Sequence, residues 1–156
     1  MDKVSIIEEN LKLADWCGSL KGLTDEVWFS TFREGSWGIA DVISHFISWD
    51  QFLLRYRLPS MITGDEFPEI KVKVETINTE ASQYARRPGV MKTVLIEECI
   101  AKRKELVSQV VKIPAVRFHQ QLTIGGSNVT LVEYFSDFID HDKHHMDQIN
   151  AFLGRH

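Results

Sequence analysis

Basic clusters, long apolar runs, paired cysteines and low-complexity tracts are all missing from this chain of 156 residues, and each absence removes a class of function. With 18 Lys and Arg against 22 Asp and Glu, the net charge is −4, and no basic stripe offers the electrostatic footprint that nucleic acid requires. No apolar run approaches the ~20 residues of a membrane span. The N-terminal stretch MDKVSIIEENLKLADW carries acidic residues where a secretory leader needs an unbroken apolar core. A cytoplasmic protein with no nucleic-acid or membrane partner is expected. The only cysteines, Cys17 and Cys99, form no CxxC and adjoin no histidine. They are expected as buried free thiols rather than a disulfide or a nucleophile. The composition, 44% hydrophobic and 26% charged, is that of a soluble globular protein, and the length predicts a single domain over residues 1–156.

What the chain does contain is helical periodicity, in four long segments separated by breaker-rich stretches. The first is predicted from about Asp2 to Leu20, with Val4, Ile7, Leu11 and Ala14 inward and Gly18 and Gly22 at its end. Between it and the second lies LTDEVWFSTFREGSW, whose Trp28, Phe29, Phe32 and Trp37 predict a connection anchored by aromatics. The second helix is predicted from Ile39 to Arg57, stopped by Pro59, with Gly38 as its N-cap and Asp41 in a first turn that favours acidic residues. Its stripe of Val42, His45, Trp49, Phe52 and Tyr56 alternates steps of three and four, so a histidine stands in register with the core. Leu58 to Arg87 reads as an irregular crossover with a short helix around Thr76 to Tyr84. The third long helix lies between Pro88-Gly89 and Pro114, carrying Leu95, Cys99, Leu106, Val110 and Ile113 inward and the charged run AKRKE toward solvent. Ala115 to Asn128 predicts a loop or small hairpin with a Gly-Gly turn, His119 being a surface residue.

The fourth helix has the clearest start. Thr130 and Glu133 match the capping box, in which hydroxyl and carboxylate satisfy orphan backbone donors reciprocally. From there Tyr134, Phe138, His141, His145, Gln148 and Phe152 follow one face, whereas Asp137, Asp140, His144 and Asp147 form an outward row. The fold predicted is an all-α four-helix bundle.

Three of the chain's 6 histidines therefore fall on inward stripes. Two imidazoles at i, i+4 lie ~6 Å apart on one helix face and can share an ion, but they need another ligand. His45, in register on a second helix, is the candidate. Three neutral imidazoles leave coordination positions open for water or substrate, whereas a closed structural site fills all four. The donor set suits zinc, nickel, copper or ferrous iron. A carboxylate-bridged di-iron bundle would need repeated Glu-x-x-His pairs, and there are none.

The segments GSWGIADVISHFISWDQ and HDKHHMDQINAFL together resemble the DinB/YfiT-like superfamily: a tryptophan before a helix start with a histidine eight residues on, and a C-terminal HxxxHxxQ helix. The resemblance implies a four-helix bundle with an up-down-down-up arrangement, a long crossover between the second and third helices, and a divalent metal on His45, His141 and His145. Gln148 matches the family's polar position one turn beyond the last ligand and is expected to orient a bound group. Two positions depart from the pattern. Gly38 stands where Ser or Thr is usual, and Asp147 stands where the sulfoxide-synthase relatives carry Glu.

Relatives of this kind include thiol-dependent S-transferases, a thiol-dependent isomerase and hydrolases. The expected activity is a metal-dependent hydrolase or thiol transferase acting on a small molecule. Zinc or nickel would be the ion, with iron as a further option, and a low-molecular-weight thiol is a candidate cosubstrate. A homodimer is expected. The alternative is a non-catalytic metal-binding stress-response or dimerisation bundle.

Overall fold

The computed structural model describes residues 1–155, and the four long helices stand where their signals place them. α1 is Lys3–Gly18, opened by the Asp2 carboxylate, which accepts the Ser5 N–H at 2.8 Å. A 3-10 turn, Ser19–Gly22, and a short α2, Asp25–Phe29, lead to α3, Ile39–Tyr56. The crossover contains α4, Leu58–Thr63, and α5, Val74–Ala85. After α6, Lys92–Val110, come a 3-10 turn at Ala115–His119 and a hairpin of β1, Leu122–Ile124, and β2, Ser127–Val129. Its turn is Gly125-Gly126, both at positive φ, which a Gly pair adopts without the Cβ clash that other residues meet. The last element, α7, is Leu131–Leu153; Glu133 N–H donates to Thr130 Oγ1 at 3.1 Å and Thr130 N–H to Glu133 Oε1 at 3.0 Å, completing the expected capping box.

Helices α1, α3, α6 and α7 form the four-helix bundle in its up-down-down-up arrangement, with the crossover between α3 and α6. Pro59 does not end helical structure altogether. It occupies the first turn of α4, where its missing N–H leaves no intrahelical bond unmade. No helix among the described residues is long and apolar enough to cross a membrane.

The buried rows differ from the predicted ones in an informative way. α1 buries Ile6, Asn10, Leu13 and Cys17, while Val4 is exposed and Ile7 and Leu11 are only partly covered. α6 buries Leu95, Cys99, Leu106 and Val110 as predicted, Ile113 is buried just beyond its end, and Arg103, between Cys99 and Leu106, is 0% exposed as well. The run AKRKE is therefore not wholly a solvated face. Asp50 on α3 is 1% exposed, and Asp142 on α7 is buried as well.

These residues meet. Arg103 Nε and Nη2 donate to the two oxygens of Asp50 at 2.9 and 3.0 Å, while Nη1 and Nη2 donate to Asp142 at 2.7 and 3.3 Å. Nη1 also donates to the Asn10 carbonyl at 3.2 Å, so one guanidinium ties all four bundle helices together. Burial alone would lower the Arg103 pKa, but the two carboxylates more than compensate and hold it above its ordinary value. The layer divides the core in two. Leu13, Phe46, Cys99 and Ile149 belong to one apolar cluster; Ile6, Leu53, Leu106 and Phe135 belong to the other. Along each helix the polar residue stands between members of the two.

Gly38 is explained by crowding. A Cβ there would lie 1.8 Å from the Ser30 carbonyl oxygen, because the chain crosses itself at a bridge between Thr31 and Gly38. No hydroxyl cap fits, and Asp41 caps from within by accepting the Gly38 N–H at 2.8 Å. The same carboxylate accepts from Ser82 at 2.7 Å and from Arg86, which docks α5 against the start of α3.

Removing one member of a buried ion network leaves the others uncompensated. Arg103→Ala is expected to lower unfolding free energy by ~3–5 kcal/mol, read by equilibrium urea denaturation. A loss under about 1 kcal/mol, the scale of a surface pair, would show that the network does not hold the helices together.

Candidate metal centre

α3 and α7 bring His45, His141 and His145 together. One ring nitrogen from each lies within 4.8 Å of the other two. The ring centroids are 5.3 Å apart for His45 and His141, 5.0 Å for His45 and His145, and 4.6 Å for His141 and His145. Among the described residues this is the group of His, Cys, Asp or Glu side chains placed to hold an ion. The three are unequally covered: His45 is buried, His145 half-buried and His141 exposed. His141 was expected to point inward, but the row that reaches the core is Phe135, Ile139, Asp142 and Ile149, and the histidine row forms its rim. His144 and His119 are exposed, as expected.

The tautomer of His45 follows from its neighbours. Asn78, on α5, places Oδ1 3.0 Å from both His45 Nδ1 and Trp49 Nε1. An indole N–H can only donate, so the Asn78 carbonyl oxygen must face it, and His45 Nδ1 must donate too. The lone pair of His45 is therefore on Nε2, which is buried and has no hydrogen-bond partner. An unpaired buried acceptor is costly unless something binds it. Gln148 Oε1 lies 3.3 Å from His145 Nδ1, which leaves the other nitrogen of that ring for an ion in the same way. Metal-bound histidines commonly donate their second N–H to such a partner. The donor set fits a divalent cation.

Electrostatics support the same state. Burial, together with the charges of His145 and His141, pushes the pKa of His45 down to about 4. Burial also lowers His141, against the pull of Asp142, and lowers His145, where His141 adds to the effect. All three rings are neutral at pH 7, the form that binds metal. The Arg103 layer lies close by, since Asp142, which accepts from Arg103 at 2.7 Å, adjoins His141 in sequence. On the His141 side a cavity of about 400 Å3 opens beside the triad.

The DinB superfamily sequence profile matches residues 13–149. The chain belongs to the DinB superfamily. No curated protein matches it. Among solved structures it is similar to YfiT from Bacillus subtilis, described as a probable metal-dependent hydrolase with an unusual four-helix bundle topology. The match has a TM-score of 0.76 at 15% identity and covers 98% of this chain and 86% of that one. At that identity the likeness establishes the DinB bundle fold. The histidine triad is a feature of this chain's own geometry.

Sequence periodicity found the three histidines and Gln148 but missed Asn78, which sits in the crossover. Nothing in TINTEAS separates it from a polar surface residue. Asn78→Leu is expected to weaken divalent-metal binding by ~10–100-fold, measured by competition with a chromogenic chelator. Unchanged affinity would show that the carbonyl does not hold the ligand.

A second expectation concerns pH. The folded-state pKa of each histidine is depressed, so as pH falls the unfolded chain takes up protons first. Metal-free protein should lose stability from pH ~6.5 down to about 4, where His45 itself protonates. His45 alone accounts for about 3 kcal/mol of this loss. Urea midpoints across the window should fall in wild type and fall less in His45→Gln; a flat wild-type profile contradicts the burial of neutral imidazoles.

Proposed function

We propose that the protein is a metal-dependent enzyme in which His45, His141 and His145 hold a divalent ion, zinc or nickel with iron as the further candidate. The orphaned Nε2 of buried His45, facing two more neutral imidazoles, carries this reading. Such an ion supplies Lewis acidity, lowering the pKa of a coordinated water toward ~7 or keeping a low-molecular-weight thiol as thiolate. The chain's own groups do the rest. Asn78 and Gln148 fix two rings through their Nδ1 atoms, and α5 covers the His45 side against water. The exposed His141 edge and the adjoining cavity give a small-molecule substrate access to that nucleophile.

Hydrolysis of an ester or amide and transfer of a thiol to an electrophile are the two reactions this arrangement serves. YfiT's description as a probable metal-dependent hydrolase favours the first. The openness on the His141 side argues against a closed structural site, which would fill all four positions. A homodimeric, cytoplasmic enzyme remains part of the proposal.

Metal analysis of protein purified without an affinity tag should find about one ion per chain, the stoichiometry of a single site. His141→Ala should retain little of it while keeping the helical circular-dichroism spectrum. Metal-loaded wild type should turn over either model esters and amides or a thiol and an electrophile, and His141→Ala neither. Absence of stoichiometric metal in wild type sinks the proposal. Bound metal without turnover in both screens supports the non-catalytic alternative.

A further inference from the structure

The cavity of about 400 Å3 beside His141 is built from α3, α7 and the β1–β2 hairpin. Its walls are Trp49, Leu53, Ile124, Val129 and Phe138, and its volume lies near the lower end of small-molecule sites. Four further side chains line it: Ser127, Tyr134, Asp137 and the candidate ligand His141. Ser127 is uncharged. Burial pushes the Tyr134 phenol up against the pull of the nearby Arg57 guanidinium, so it stays neutral, and Arg57 itself lines a separate hollow with Glu66, Phe67 and the Gly-Gly turn. Asp137 is exposed and, among the described residues, has no hydrogen-bond or ion-pair partner. It is the lone carboxylate in the lining of a mostly apolar cavity.

The other side of the triad has the opposite character. Beyond Gln148 a smaller hollow of about 310 Å3 is lined by Arg33 and Arg155, with Ser36 and Trp37. Negative groups of a ligand are favoured there and disfavoured beside Asp137. Trp49 reinforces the difference. Its N–H is engaged by Asn78, so it offers the cavity aromatic carbon rather than a donor, and an indole ring is a favourable neighbour for a cation.

We propose that the His141-side cavity is the subsite for an apolar, amine-bearing portion of the substrate, its ammonium paired with Asp137 and its apolar body against Trp49, Leu53 and Phe138. This assignment rests on the metal-dependent reading above for the position of the reacting centre, next to His141. It adds the class of compound, hydrophobic and cationic on this side, which the metal ligands do not specify.

Isothermal titration of the full chain with 4-phenylbutylamine and 4-phenylbutyrate tests it. Metal-free protein is used, so that the carboxylate of the acid cannot report on the ion. The amine is expected to bind about tenfold more tightly than the acid, attraction replacing repulsion at one partly exposed charge. In Asp137→Asn the preference should shrink to about twofold or less. Ser127→Trp, at an exposed position on the cavity edge, should weaken amine binding by tenfold or more through occlusion, with the circular-dichroism spectrum and metal stoichiometry unchanged. Equal or tighter binding of the acid, binding of neither compound, a preference that survives Asp137→Asn, or an amine Kd unmoved by Ser127→Trp each overturns the assignment. Failure of the metal reading shows separately, as missing stoichiometric metal in wild type that still binds the amine.

Discussion

Arg103 is the constraint around which the bundle is arranged. A guanidinium with no exposure must have all its donors matched, and here the partners come from α1, α3 and α7 while the residue itself belongs to α6. That requirement fixes the relative rotation and height of the four helices more tightly than apolar contacts do, since leucine and isoleucine tolerate small slips. Phe138 packs its ring 5.0 Å from the same guanidinium, so the layer also determines where one wall of the cavity stands. Because Asp142 is adjacent to His141, setting the height of α7 sets the height of the candidate ligands.

The triad depends on a second, lighter set of contacts between α3 and α5. Asp41 meets Ser82 and Arg86, Ser44 donates to the Ala81 carbonyl at 2.7 Å, and His45 and Trp49 meet Asn78. One helix of the crossover thus runs beside α3 as a polar zipper, and its last polar contact orients a ring that two other histidines then face. The candidate centre is consequently assembled from three sources: α7 for two of the histidines, α3 for the third, and the crossover for the carbonyl that fixes the proton of the third ring.

Periodicity made most of this architecture legible. The four long helices, the capping box at Thr130, the crossover helix and the Gly-Gly hairpin all followed from local signals, and the helix spacing singled out His45, His141 and His145. What the pattern misplaced has one physical cause. Asn10, Asp50, Arg103 and Asp142 occupy core positions, and a reading based on apolar residues treats such positions as outward. On α1 and α7 this shifted the predicted stripe sideways, so that Val4 was assigned inward and His141 was buried too deeply. A buried ion network has no signature in single-helix periodicity, because each member looks like a surface charge until the other helices are present. Asn78 was hidden for the same reason, its partners being on another element.

The zipper between α3 and α5 also bears on how such a protein can diverge. The crossover reaches the triad through the Asn78 carbonyl, while Gly64 to Lys73, joining α4 to α5, is exposed apart from the partly covered Phe67 and Ile70. Insertions or replacements in that segment leave the ligand set intact as long as one amide stays opposite His45. Loops and hairpin can therefore vary while the three histidines keep their places, because the contacts that set those places lie on α3, α5, α6 and α7.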